Sequence, residues 1–176
     1  MAIIKPVKGI HPKIGSNCFL ADNAVVVGEV ILGDNCSVWF NAIVRGDVNS
    51  IVIGDNTNIQ DGAVIHCTYQ KASTSIGKNV SIGHNAIVHG CTIHDNVLIG
   101  MGAIVMDHAV IESGSIVAAG AIVLEGTRVE SGSMYAGIPA KKMKDVSEEL
   151  KGVFERTAKN YQMYSKWFDE KNSIET

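Results

Sequence analysis

The sequence predicts a mainly β protein, a parallel β-helix of six-residue repeats followed by an α-helix. Large aliphatic residues return every six positions over most of the stretch from Ile14 to Val129, and a small residue usually follows four positions later. Apolar positions of an amphipathic helix recur every 3.6 residues, so this pattern instead indicates a hexapeptide β-solenoid. Three such units make one triangular turn, and residues 18 apart then stack at the spacing of neighbouring strands, about 4.8 Å.

The repeat extends over about residues 11–138 and defines a predicted solenoid domain, residues 1–140. A short insertion separates the units that begin at Val44 and Ile53, and a longer one spans residues 67–75. Gly, Asn and Asp crowd the positions between the aliphatic anchors, where the corners of the solenoid need a permissive φ.

Residues 141–176 have a different pattern and are predicted to form a turn and a helix that packs on the solenoid. Ser147 is a good N-cap, and Glu148 and Glu149 suit the first turn of a helix dipole. Apolar residues then recur at steps of three and four, as on one helix face: Leu150, Val153, Phe154, Thr157, Tyr161, Tyr164 and Phe168. The helix is expected to cover its own solenoid or a neighbouring subunit, and presentation of a partner site is the alternative.

Charge and hydropathy exclude two classes of partner. The net charge is −3 and no basic block is present, so nucleic acid is not an expected ligand. No apolar run is long enough to span a membrane, and the first residues lack the apolar run of a signal peptide. These features predict a cytoplasmic protein.

The four cysteines do not form a recognisable metal or redox motif, because no CxxC spacing occurs. Cys18 and Cys36 both occupy the fifth repeat position, one solenoid turn apart. Small core residues are usual at that position, and a free cysteine behaves as a small buried hydrophobe. Both are therefore predicted to lie in the core.

In the middle part of the solenoid, polar residues directly follow the aliphatic anchors. Glycine is usual at this position in the other units. His66, His89 and His94 each come directly after an anchor and should point outward. Counting units places Arg45, His66 and His89 on one face in successive turns, and His94 on the next face. Three imidazoles and one open position are a common catalytic zinc site, and cobalt or iron(II) would also suit them. The other histidines are predicted to be solvated surface residues: His11, His84 and His108.

A convex prism surface lacks the concavity of a ligand site, so a second subunit is expected to cover these histidines. A three-sided solenoid favours a symmetric homotrimer with ligands from both sides of each interface. Arg45 and Asp47 are predicted to fix the placement of the subunits. The alternative is a surface ion pair that contributes little to stability. Gln60 is predicted to orient a metal-bound water, and Asp61 to accept a proton or brace its neighbours. A structural role at the corner is the alternative for both.

This constellation resembles the γ-class carbonic anhydrases and their hexapeptide-repeat relatives over nearly the whole chain. The shared motifs are Arg45-Gly46-Asp47, Asn58-Ile59-Gln60-Asp61, Ile65-His66 and a His89…His94 pair at a five-residue step. The resemblance implies a left-handed β-helix, a homotrimer, and a metal between subunits that is held by His66 and His94 of one chain and His89 of the next. It also implies that a tyrosine of the terminal helix approaches the metal, with Tyr161 the best match and Tyr164 the alternative.

The implied activity is hydration of carbon dioxide to bicarbonate by hydroxide formed on the metal, which lowers the pKa of its water from 15.7 to about 7. The proton must then reach solvent, and a positioned side chain speeds this transfer. The most active members of the family carry a glutamate where this chain has Val48, and acids in the insertion after the first histidine. The insertion here contains none, so slow turnover is expected.

Two other functions remain open on the sequence. A hexapeptide-repeat acyltransferase, or a thioester hydrolase, would share the ending from Gly137 to Lys141, although three convergent histidines argue against a transferase. A non-enzymatic assembly subunit with a retained metal site is the third possibility, since the acidic shuttle residues are missing.

Overall fold

The aliphatic anchors form columns through the interior of a three-sided parallel β-helix, which confirms the predicted fold. The computed structural model describes residues 1–168. In one column Val26, Val44, Ile65 and Val88 pair in register on successive turns, and all four are fully buried. Alanines at the small repeat positions are equally buried, and Val80 and Val97 fill the same position on two of the turns.

The strands, numbered in chain order, fall on three faces. The first face contains β1 (Ile3–Lys5), the first part of β4 (Val25–Leu32), the first part of β6 (Ile43–Ile53), β8 (Val64–His66), β11 (Ile87–His89), β14 (Ile104–Val105) and β17 (Ile122–Val123). The second face contains β2 (Lys13–Ile14), the later parts of β4 and β6, β9 (Thr74–Ile76), β12 (Thr92–Ile93), β15 (Val110–Ile111) and β18 (Arg128–Val129). The third face contains β3 (Phe19–Leu20), β5 (Ser37–Val38), β7 (Asn58–Ile59), β10 (Ser81–Ile82), β13 (Leu98–Ile99), β16 (Ile116–Val117), β19 (Ser133–Ala136) and β20 (Lys141–Asp145).

All neighbouring strands are parallel except β19 and β20, which pair antiparallel. The strand β20 lies where the sequence predicts a turn. The chain visits the faces in a fixed order, from the third to the first to the second. Three corners therefore run along the solenoid, and we name them after the histidines they carry. The His84 corner joins the third face to the first, the His66 corner joins the first to the second, and the His94 corner joins the second to the third.

The outward surfaces of the faces differ in polarity. Outward side chains of the first face pair in register as one aliphatic column: Val25, Ile43, Val64, Ile87, Ile104 and Ile122. No member of that column is buried. The equivalent column of the second face is interrupted by Ser75, Thr92 and Arg128. The first face therefore presents an uncovered apolar strip.

The third face is covered by the terminal helix, α1 (Glu148–Ser165), which continues as a 3₁₀ turn (Lys166–Phe168). The amide of Leu150 donates a hydrogen bond to Ser147 Oγ at 3.3 Å, which confirms the predicted N-cap. Phe154 of this helix is buried in a small apolar cluster with Ile116 of β16.

The end of α1 and the 3₁₀ turn that follows it pack on aromatic side chains of the first turns of the solenoid. The ring of Tyr161 meets Trp39 edge-on at 5.3 Å, and the Phe168 ring lies 5.6 Å from Phe19. The helix thus covers its own solenoid. The end of the predicted C-terminal segment, residues 169–176, lies outside the described residues.

Within residues 1–168 no helix is both long and apolar enough to cross a membrane. The cytoplasmic location stays a prediction.

Candidate functional site

Two of the predicted ligands, His66 and His89, converge at the His66 corner. They are register partners on β8 and β11, so their side chains leave the solenoid at the same point of successive turns. His66 Nδ1 lies 3.1 Å from His89 Nε2. Two nitrogens bound to one tetrahedral zinc at 2.0–2.1 Å are about 3.3 Å apart. The two imidazoles therefore already have close to the spacing that a shared metal requires.

A carboxylate holds the other ring nitrogen of each imidazole. Asp47 Oδ1 lies 3.0 Å from His66 Nε2, and Asp107 Oδ1 lies 2.6 Å from His89 Nδ1. Histidines that bind metals usually have such a partner on the second nitrogen, which fixes the ring orientation and raises its basicity. Both imidazoles are thus oriented as a metal ligand needs.

The two carboxylates have pKa values below the ordinary range. Burial raises the pKa of Asp47, but hydrogen bonds from His66 and Arg45 outweigh it. Burial likewise raises the pKa of Asp107, and hydrogen bonds from Thr68 and His89 more than offset it. The Thr68 hydroxyl, from the long insertion, donates to Asp107 Oδ2 at 2.5 Å. Both carboxylates therefore remain ionised at neutral pH.

Arg45 stands beside this pair on the preceding turn. Its Nη1 donates to Asp47 Oδ2 at 2.6 Å, and 44% of its side chain is exposed. Asp47 thus links the guanidinium to His66. Within one chain this is a surface ion pair, and such pairs contribute little to stability.

The predicted catalytic residues gather at the His84 corner instead. Asp61 Oδ2 lies 2.8 Å from His84 Nδ1, and the Tyr161 hydroxyl lies 3.5 Å from His84 Nε2. The buried Gln60 amide donates to Asn58 Oδ1 at 3.0 Å. Gln60, His84 and Tyr161 line one cleft of about 440 Å³ between the helix and the third face. The structure therefore brings Gln60, Asp61 and Tyr161 to the same corner as His84, a histidine that the sequence pattern did not single out.

Tyr161 is suited to donate a hydrogen bond rather than to ionise. Burial raises its pKa to about 12, with contributions from the negative charge of Asp61 and from Tyr164. Tyr161 lines the cleft, whereas Tyr164 is not among the lining residues and meets the Tyr161 ring edge-on, with centroids 5.5 Å apart.

The third predicted ligand, His94, lies at the remaining corner. Its Nε2 is 3.8 Å from Glu112 Oε2, and Arg128 pairs with the same carboxylate. The structure therefore does not bring His94 to His66 or His89. In the described part of the chain, no group of three or more His, Cys, Asp or Glu side chains is arranged to hold a metal. A three-histidine site would need a residue from a second chain.

The sequence does contain a signal for His84. Asp61 and His84 each stand two residues after an anchor, and those anchors, Ile59 and Ile82, are register partners. The separation equals the 23 residues between His66 and His89. The other two histidines predicted to be surface residues, His11 and His108, are exposed.

Comparisons with known proteins give the same architecture. The family model for bacterial transferase hexapeptide (six repeats) matches residues 11–46, 73–105 and 90–125. A probable carbonic anhydrase of Methanocaldococcus jannaschii is 48% identical over 136 residues, which are 77% of this chain and 85% of that protein. The mitochondrial gamma carbonic anhydrase 2 of Arabidopsis thaliana is 39% identical over 155 residues, 85% of this chain but only 56% of that protein. This chain therefore spans little more than half of the plant relative's length.

Among solved structures, a hexapeptide transferase family protein from Anaplasma phagocytophilum superposes with a TM-score of 0.91. It is 42% identical, and the match covers 95% of this chain and 98% of that one.

Proposed function

We propose that this chain, which belongs to the γ-carbonic anhydrase family of hexapeptide-repeat proteins, hydrates carbon dioxide to bicarbonate at a metal site shared between subunits. The observation that carries the proposal is the pair formed by His66 and His89, whose facing nitrogens lie 3.1 Å apart while carboxylates hold the opposite ones. The relatives named carbonic anhydrase support the choice of reaction.

The apolar strip on the first face supports a trimer. Contiguous apolar surface on a soluble protein usually marks an interface. Three prisms arranged around a threefold axis with their first faces inward bury all three strips. Each junction then joins the His66 corner of one subunit to the His84 corner of the next. The His94 corner, opposite the first face, points away from the axis.

In this arrangement His84 of the neighbouring subunit is the third ligand. A carboxylate orients His84 as it does His66 and His89. Asp61 Oδ2 lies 2.8 Å from His84 Nδ1, which leaves Nε2 directed towards the cleft. It also brings Gln60 and Tyr161 to the junction. His94, the ligand predicted from the sequence, lies on the outer corner, and we propose His84 in its place.

Three imidazoles fit zinc, cobalt or iron(II). Such a metal would lower the pKa of a bound water to about 7 and so would supply a nucleophile at neutral pH. The chain's own residues position the reactants. Asp47, Asp107 and Asp61 orient the three imidazoles, and the protonated Tyr161 hydroxyl donates a hydrogen bond into the cleft.

The cleft also suits a small apolar substrate. Ile116, Met134 and both residues of β13 are among those that line it, and apolar walls with a few polar groups are typical of small-molecule sites. Transfer of the product proton to solvent is the step that this site supports least. At the His66 corner Asp47 and Asp107 are engaged with the histidines, and Val48 and the acid-free insertion add no further carboxylate, so we expect slow turnover.

An acyltransferase is the less favoured alternative, although a solved relative carries a transferase family name. A transferase has no use for three carboxylate-braced imidazoles. Transfer from acetyl-coenzyme A that persists in the metal-free protein would favour it.

Metal content and stopped-flow carbon dioxide hydration test the proposal together. Protein purified anaerobically and reconstituted with zinc or iron(II) should hold one metal per chain. We expect His66→Ala, His89→Ala and His84→Ala to lose the metal and the activity, whereas His94→Ala and the control His11→Ala keep both. Metal lost from His94→Ala but retained by His84→Ala would restore the sequence-based ligand. Hydration equal in metal-loaded and metal-free protein would reject the function.

A further inference from the structure

Two cysteines that the proposed site does not use face each other at the open end of the solenoid. The edge strand β3 pairs with β5 so that Phe19 is the partner of Ser37, which places Cys18 directly opposite Cys36. Neighbouring strands lie 4.7–4.9 Å apart. That spacing falls within the range of 4.4–6.8 Å between the α carbons of disulfide-bonded cysteines.

The two thiols differ in access. Cys36 is 1% exposed, as the sequence predicts, whereas Cys18 is only partly buried because no strand follows β3 on that side. Both line a cavity of about 510 Å³ between the first coils and the end of α1, with Ser165 on the helix side. A small molecule can therefore approach Cys18, with Cys36 behind it.

The thiols also differ in acidity. The neighbouring Cys36 thiol lowers the pKa of Cys18 to about 7, against burial and the carboxylates of Asp34 and Asp55, which raise it. The Cys18 thiol itself lies 3.1 Å from the Gly33 carbonyl oxygen. The contact with Cys18, together with burial, raises the pKa of Cys36. Lys166 lines the cavity as well. At neutral pH a substantial fraction of Cys18 is thus the thiolate, the nucleophilic form, while Cys36 retains its proton.

We propose that Cys18 and Cys36 form a redox-active dithiol that reacts with low-molecular-weight disulfides. The Cys18 thiolate attacks one sulfur of the small disulfide, whose S–S bond breaks, and the first small thiolate leaves. The Cys36 sulfur then attacks Cys18 Sγ, releases the second small thiolate and gives up its proton. The protein loses two protons and two electrons, and one small disulfide becomes two small thiols.

An exposed thiol of low pKa beside a resolving cysteine is the usual arrangement of a redox-responsive site. Resolution becomes easier after the first step, because the Cys18 sulfur is then no longer an anion beside Cys36. The other two cysteines provide a contrast within the same chain. Cys67 and Cys91 are buried, and burial raises the pKa of both, that of Cys91 to about 12.

The test is reaction of the folded full-length protein with oxidised glutathione at neutral pH, followed by acid quenching, intact mass measurement and peptide mapping. Wild-type protein should lose two hydrogens and yield a Cys18–Cys36 cross-linked peptide. Cys36→Ser should stop at a single glutathione adduct on Cys18, and Cys18→Ser should give neither product. Cys91→Ser, the matched control, should behave as wild type.

A second readout is the rate of reaction with a chromogenic aromatic disulfide across pH. In Cys36→Ala the Cys18 rate should be slower at pH 7 than in wild type, since the thiol that lowers the Cys18 pKa is removed and the profile moves to higher pH. Wild-type protein that reacts no faster than Cys18→Ser would overturn the proposal. So would a cross-link that maps to Cys67 and Cys91, or a Cys36→Ser protein that carries no adduct. None of these outcomes depends on the metal or on carbon dioxide hydration.

Discussion

The His66 corner and the His84 corner are built by the same rule and hold different halves of a site. At each corner a carboxylate orients an imidazole, through Asp47 and Asp107 at one and Asp61 at the other. The His66 corner has two converging histidines, and no tyrosine is among the residues that line the cavity beside His89. The His84 corner has one histidine with an amide, a phenol and a cleft. One face of the prism separates them, so a chain that carries both halves needs a second copy to join them.

The strongest test of this comparison is complementation between subunits. His66→Ala breaks the first half and His84→Ala breaks the second, so each variant alone should bind almost no metal. In mixed trimers, some junctions receive both intact halves from different chains. Random mixing of equal amounts should restore about one quarter of the sites, because each junction needs one particular variant on each side. The measurement is metal per chain after the two proteins are co-refolded.

The matched control mixes His66→Ala with His89→Ala. Both changes damage the same half, so every junction stays broken and no metal should return. Recovery in this control, or none in the first mixture, would show that the two corners do not meet.

The next effect concerns the apolar strip between the corners. Ile87→Glu places a charge at the middle of the strip, where an unpaired carboxylate in an interface costs several kcal/mol, roughly 3–5. We expect a monomer by light scattering, with loss of metal although every ligand is present. Ile87 is 37% exposed in the single chain, so the fold of the monomer should persist by circular dichroism.

Val52→Glu is the control for this change, since Val52 is 42% exposed on the second face. It should remain a trimer with its metal. Dissociation of Val52→Glu instead of Ile87→Glu would place the interface on the other side of the His66 corner.

A smaller effect is expected from the carboxylates that orient the histidines. Asp107→Asn keeps the shape of the side chain but offers His89 a weaker acceptor than the carboxylate 2.6 Å away. Loss of such a partner typically weakens metal binding about 10- to 100-fold. Competition with a chelator measures the affinity. Asp34→Asn, which changes only an acceptor for the Ser16 amide, should leave the affinity unaltered, and equal affinities in both variants would exclude the orienting role.

The sequence predicts the solenoid well because each six-residue unit repeats the same local requirement. An aliphatic anchor such as Ile65 and a small residue such as Ala63 specify inside and outside without reference to distant residues. Corners are harder to assign. The phase of the repeat places His94 in the same relation to its anchor as His66, but phase alone does not tell which corner meets another subunit.

Two further features depended on contacts that a one-dimensional pattern does not contain. The role proposed for His84 depends on its contacts with Asp61, one solenoid turn earlier, and with Tyr161, 77 residues away on the helix. Cys18 has the repeat position of a core residue, yet it directly precedes the edge strand β3, where no further turn of the solenoid covers it. End effects of this kind break the equivalence of the repeats.

The smallest predicted effect is a change in the rate of hydration without a change in metal content. Tyr161→Phe retains the ring that packs on Trp39 at 5.3 Å and removes only the hydroxyl 3.5 Å from His84 Nε2. One lost hydrogen bond corresponds to about 1 kcal/mol, so kcat/KM for carbon dioxide should fall up to about tenfold. Metal content should not change, because the hydroxyl is not among the ligands. Tyr164→Phe, one helical turn further on and behind Tyr161, should keep full activity. A Tyr161→Phe protein that loses its metal would mean that the hydroxyl holds His84 in place, and one with unchanged kcat/KM would remove Tyr161 from the reaction.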